Sequence, residues 1–179
     1  FYGLNQAVSG LNFVTLRFIT PSPGIWTIRV YGYSVLSGGF NMWINNREFL
    51  WSDTYFLQPD PYNTITDPGN TDVPTTVGAY NYRDGSVYIG SGRGTAAYYD
   101  YKPDIVAPGS KIMSCLPGKP YSYGIKSGTS MSTPLVSGAI ACALEKNPEL
   151  TNTEIKTMLM NSAEDMGRPR NQQGWGRFN

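Results

Sequence analysis

The sharpest change of hydrophobic pattern along the chain falls where Lys126-Ser127-Gly128-Thr129-Ser130-Met131-Ser132-Thr133-Pro134 empties into Leu135-Val136-Ser137-Gly138-Ala139-Ile140-Ala141-Cys142-Ala143-Leu144. A small polar run followed at once by an apolar one predicts a helix beginning near Ser130 or Met131. Pro134 is then expected in the first turn, where its missing N–H costs little. The run is apolar on nearly every side until Glu145, which predicts a buried central helix. Downstream, Asn147-Pro148 stops the chain and Thr151-Asn152-Thr153-Glu154 has the form of a capping box. Ile155, Met158, Leu159 and Ala163 mark one face of a second helix that reaches about Ser162. Val73 to Tyr80, Ile105 to Ala107 and Ile112 to Cys115 read as short buried strands.

The first 58 residues have a different texture. Leu11 to Thr20, Ile25 to Tyr33, Phe40 to Ile44 and Glu48 to Trp51 read as strands, punctuated by Pro21-Ser22-Pro23-Gly24, Ser37-Gly38-Gly39 and Asn45-Asn46. Short strands broken by Gly, Pro and Asn predict part of a β sandwich or jelly roll. Trp26, Tyr31, Trp43 and Trp51 lie within those patterns and read as core packing rather than a sugar-stacking face. Residues 59–63 form the linker and 64–179 a second, α/β unit. Four strands are half of what a jelly roll needs, so a face including Phe18, Ile28 and Trp43 lacks a covering sheet. This predicts a chain held by a second polypeptide.

Composition narrows the function. The 179 residues carry a net charge of +1, 40% are hydrophobic, and no basic run suggests nucleic acid and no long apolar run a membrane span. Asp60, Asp67 and Asp72 are too scattered for a calcium site, and no cofactor is implied. Cys115 and Cys142 read as two small buried hydrophobes rather than a disulfide. The chain opens on Phe1 and has no secretion signal, which reads as a fragment or a processed product. It contains no histidine.

Ser130 would stand at the positive end of the first helix dipole, beside free N–H groups able to stabilise an oxyanion. Its bland alternative is a simple N-cap. The surrounding Gly-Thr-Ser-Met-Ser-Thr-Pro resembles the nucleophile motif of the subtilisin-like serine proteases, Gly-Thr-Ser-Met-(Ala/Ser)-x-Pro. Lys102-Pro103-Asp104-Ile105-Val106-Ala107-Pro108-Gly109 resembles that family's Lys-Pro-Asp run. Gln173 to Asn179 resembles its closing Gly-x-Gly segment, with Phe178 in an aliphatic place. Ser91-Gly92-Arg93-Gly94 resembles its Ser-x-Gly-Pro loop, with Gly94 for Pro, and lacks the lysine and spacing of a phosphate loop.

The resemblance implies the C-terminal part of a three-layer α/β sandwich with a partial jelly-roll insert, as in the Csp-like branch of clostridial subtilases. It implies a serine endopeptidase that works by acyl transfer. Ser130 would be the nucleophile and its N–H an oxyanion donor. Thr66, Asp67, Pro68, Gly69, Gly128 and Thr129 would line the pocket for the substrate residue before the scissile bond (P1). The missing His, Asp and oxyanion Asn would come from an N-terminal fragment of the same precursor, so this chain alone would be inactive. A Ser-Lys dyad using Lys126 or Lys119 is the other source of a base. In the germination members the family activates a spore cortex hydrolase by proteolysis, which implies a spore-associated or extracellular protein. A catalytically dead scaffold and a carbohydrate-binding jelly roll are the other two readings.

Overall fold

The computed structural model describes residues 2–5, 12–35, 38–44, 54–95, 101–118 and 120–179. Contacts divide the chain into two units, Phe1–Asp53 and Thr54–Asn179. In the first, β1 (Tyr2–Asn5) pairs antiparallel with β2 (Asn12–Thr15), Tyr2 opposite Thr15. Ile25 to Tyr33 and Phe40 to Ile44, expected as strands, form none, and Glu48 to Trp51 lies outside the described residues. The described residues of this unit therefore contain one two-stranded ladder and no jelly roll. The physical reason is visible in the burial. A half-buried strand needs a ladder partner and a covering face, whereas Ile25, Val30 and Tyr31 are exposed. Trp26, Tyr31 and Trp43, expected in a core, are 58%, 83% and 63% exposed. Trp26 instead packs edge-on against Phe18, with ring centroids 5.4 Å apart.

The second unit is built on two parallel strands. β3 (Val77–Tyr80) and β4 (Ile105–Pro108) pair in register, Val77 beside Ile105 and Tyr80 beside Pro108. Ala79, Ile105, Val106 and Ala107 are fully buried, as expected of strands covered on both faces. The tail adds to the free edge of β4, where the Val106 N–H donates to Gly176 O (2.9 Å) and the Phe178 N–H to Val106 O (2.7 Å). A third pair, β5 (Ile112–Cys115) with β6 (Tyr123–Lys126), is an antiparallel hairpin exposed along most of its length. Cys115 on it is free and exposed, against the expectation of a buried hydrophobe, because nothing described covers that face.

Three helices follow: α1 (Thr129–Lys146), α2 (Asn152–Ser162) and the one-turn α3 (Arg170–Gln173). None of the described helices is long and apolar enough to cross a membrane. The core joins Ile105 and Ala107 of β4 to Val136 of α1 and Ile155 and Leu159 of α2, with Phe178 of the tail packed against it. Each such side chain contributes roughly 1.5–3 kcal/mol by leaving water.

The expected all-round burial of α1 is not observed. Ser132 and Val136 are its buried residues, with Ile140 and Leu144 partly buried on the same stripe, four residues apart. Leu135 is 43% exposed and Cys142 is free and exposed. An apolar helix becomes central only when a second layer covers its outer sides, and the described residues cover only the inner one. On α2, Met158 is likewise exposed rather than on the buried face.

The capping box of α2 forms as expected. The Thr151 N–H donates to Glu154 Oε2 (2.8 Å) and the Glu154 N–H to Thr151 Oγ1 (3.3 Å). The Thr151 N–H and then its hydroxyl hold the Glu154 carboxyl below its ordinary value. A carboxyl depressed by folding stabilises the native state above its unfolded pKa, and that contribution is lost as pH falls through the folded pKa. Glu154→Gln should therefore lower stability at neutral pH, and the difference from wild type should vanish in acid. Urea melts of the two full-length proteins at a series of pH values would measure this.

The close seating of the tail yields a second expectation. Gly174 has φ +62°, and a Cβ there would meet Pro103 O at 2.2 Å. Gly174→Ala should cost about 1–3 kcal/mol from strain, plus the clash, read as a lower denaturant midpoint with unchanged slope.

Candidate functional site

The segment Ser127–Ser130 is held on the exit of β4. The Gly128 N–H donates to Gly109 O (2.8 Å), and the Gly109 N–H donates to Tyr80 O (2.9 Å), which links the loop before α1 to the end of β3. The Lys111 N–H donates to Ser127 Oγ (2.8 Å). Ser132 Oγ donates to Ala107 O (3.0 Å) and Pro108 O (3.2 Å) and is fully buried. These bonds fix both sides of Ser130 and leave its own side chain exposed.

Gly128 is the N-cap of α1, with φ +148°, a conformation that favours glycine. Thr129 and Ser130 are therefore the first two helical residues, one position earlier than expected. Ser130 is accordingly not the cap, and no side chain caps this helix. The Ser130 N–H meets no acceptor among the described residues, while the Met131 N–H returns to Gly128 O (3.0 Å). A free N–H beside an exposed hydroxyl at a helix N-terminus can hold a developing negative charge.

Pro134 falls in the second turn rather than the first, because the helix starts earlier. Its missing N–H is the one that would bond the Ser130 carbonyl, so Ser130 is freed from the helix ladder at its carbonyl as well as its N–H.

Of the residues expected to line a substrate pocket, Gly128 and Thr129 adjoin Ser130 directly. Thr66, Asp67, Pro68 and Gly69 are anchored elsewhere, at the entrance to β3. There Thr76 Oγ1 donates to Gly69 O (2.6 Å), and the Thr71 N–H closes the turn on Pro68 O (3.1 Å). No hydrogen bond among the described residues joins that turn to Ser130. Nor does one join Lys126 to Ser130, and Lys119 lies outside the described residues.

The Lys-Pro-Asp run makes the buried ion pair of the unit. Lys102 Nζ lies 2.9 Å from Asp104 Oδ2, and Lys156 Nζ of α2 lies 3.2 Å from Oδ1 of the same carboxylate. Burial lowers the Lys102 pKa, opposed by the Asp104 carboxylate. Gly94 also finds its reason. Its N–H donates to Lys102 O (2.9 Å) and Asn171 O (3.0 Å), which proline could not do.

Sequence reasoning passed over Ser132 and Gly109. The signal was a small residue two positions after Ser130 and a Pro-Gly turn, and neither residue reveals its partner until β4 and α1 are packed together.

Comparison with known proteins places these motifs. Residues 45–176, more than half of the chain, match the subtilase family. The chain is 36% identical to the serine protease AprX of Bacillus subtilis (strain 168), over 56% of this chain and 27% of that protein. It is 41% identical to subtilisin BL of Lederbergia lenta, over 42% of this chain and 27% of that protein. The structure of the Clostridium perfringens CspB protease superposes with a TM-score of 0.63 at 36% identity, covering 70% of this chain and 29% of that one. The chain thus spans little more than a quarter of the length of these relatives.

The crowding at Gly109 makes a prediction. A Cβ there would meet Ser132 Oγ at 2.3 Å, Ala79 Cβ at 2.6 Å and Gly128 O at 2.9 Å. Gly109→Ala should destabilise the full-length protein by about 1–3 kcal/mol through overpacking. Adding Ser132→Ala should recover only part of that, because Ala79 and the Gly128 carbonyl remain. Denaturant melts of the single and double variants would test the ordering.

Proposed function

Because the chain belongs to the subtilase family, we propose that it carries the nucleophile of a serine endopeptidase. Ser130 attacks the scissile carbonyl, a histidine takes its proton, and an aspartate orients that histidine. The Ser130 N–H, with an Asn side chain, receives the oxyanion. The observation that carries this reading is Ser130 itself: an exposed hydroxyl with a free N–H in the first turn of α1, just after a loop hydrogen-bonded to the exit of β4. The turn Thr66–Gly69, with Gly128 and Thr129, lines the P1 pocket.

A chain with no histidine cannot supply the base of that triad. Another segment of the same precursor supplies the His, the Asp and the Asn. It covers the outer sides of α1, where Leu135 and Cys142 are exposed. The substrate is a cortex-degrading hydrolase precursor, cleaved once to activate it, as the resemblance to the germination members of the Csp-like branch implies.

The isolated chain should hydrolyse neither casein nor fluorogenic peptides, and the full-length protein should hydrolyse both. Ser130→Ala in the full-length protein should lower turnover by about 10⁴-fold or more. Incubation with a purified cortex-hydrolase precursor should give a single cleavage, seen by mass spectrometry. Full activity in Ser130→Ala would remove Ser130 as the nucleophile.

A further inference from the structure

The turn Thr66–Gly69 is closed on itself by Thr71 and tied to the approach to β3 by the side chain of Thr76, and the Lys102–Asp104 ion pair dictates how the Thr76 side chain acts. Thr76 stands immediately before β3, and Asp104 immediately before β4. The Thr76 N–H donates to Asp104 Oδ2 (2.7 Å). Lys102 Nζ reaches Thr76 Oγ1 at 3.0 Å, and Thr76 Oγ1 reaches Gly69 O at 2.6 Å.

The direction of these bonds follows from chemistry. An ammonium has no lone pair, so the Thr76 oxygen must accept from Lys102. Its single proton is then left for the Gly69 carbonyl. Acceptance from a cation polarises the hydroxyl and strengthens its donation. Lys102 is 1% exposed, so water does not compete for the arrangement. Gly69 is hemmed in as well: a Cβ there would lie 3.2 Å from Thr66 O and 3.2 Å from Thr76 Cγ2. The turn thus meets a hydrogen bond and a steric wall from the same residue.

We infer that Thr76 is a positioning residue that sets the depth of the P1 pocket, by fixing Gly69 and so the Thr66–Gly69 turn through the Lys102–Thr76–Gly69 relay. Lys102 orients the hydroxyl, Thr76 holds the turn, and the turn meets the substrate side chain. The inference rests on the proposal that this turn lines the P1 pocket.

The test uses the full-length protein and paired peptides with a large or a small P1 residue. Thr76→Val keeps the shape and removes the oxygen. It should change the large-to-small ratio of kcat/KM by about tenfold, mostly through KM. Thr76→Ser, which keeps the hydroxyl, should restore the ratio. Labelling of Ser130 by a small organophosphate, which has no P1 group, should proceed at the wild-type rate in both variants. A purely structural role would lower labelling and both peptides together, and that result would overturn the inference. An unchanged ratio in Thr76→Val would also overturn it.

Thr66→Phe separates this from the parent reading. If Thr66→Phe shifts P1 preference and Thr76→Val does not, the pocket assignment stands and the relay falls. If neither shifts it, both fall. Should Thr76→Val not accumulate, Thr76→Ala removes the same oxygen from a smaller side chain and is judged by the same ratio.

Discussion

Every bond-forming edge of β4 is in use, and the rest of the α/β unit depends on that. One edge pairs with β3 and the other takes the tail through Gly176 and Phe178. Just before the strand, Asp104 binds Lys102, the Thr76 N–H and Lys156 of α2. At its exit, the Ala107 and Pro108 carbonyls receive Ser132, and Gly109 receives Gly128. A four-residue strand can organise so much because its backbone groups are buried and each must find a partner. Glycines at 109 and 174 let the neighbouring segments come close enough to provide one.

The buried ions follow the same logic. One carboxylate between two ammonium groups would be costly in an apolar site without further partners. Here the carboxylate also accepts from the Thr76 backbone, and Lys102 also donates to Thr76 Oγ1. The network therefore specifies how β3, β4 and α2 meet rather than merely adding attraction. By contrast, the Arg177–Glu164 pair (2.7 Å) is well exposed on both sides and adds little beyond holding the tail. The tail relies instead on its backbone bonds to β4 and on Phe178 against the core.

The apolar surface that remains outside explains where expectation and structure part. The outer sides of α1, strand β5 and the aromatics of the first unit were read as buried because their residue types belong inside. Residue type states what would gain from burial and not whether a covering surface is at hand. Leu135, Met113 and Trp26 are all exposed for that reason.

What the sequence alone determined was local: the capping box at Thr151 and Glu154, β4 from its apolar run and Pro-Gly stop, α1 from its polar-to-apolar switch, and the place of Ser130 at the start of α1. Each depends on neighbours within one or two turns of chain, and such neighbours are written side by side. Tertiary structure alone decided that Pro134 sits in the second turn, that Ser132 binds the exit of β4, and that Lys102 directs Thr76 toward Gly69. It also decided that α1 buries one stripe and not its whole circumference. Those outcomes rest on contacts between groups tens of residues apart, where geometry and the number of available partners, rather than residue type, choose the result.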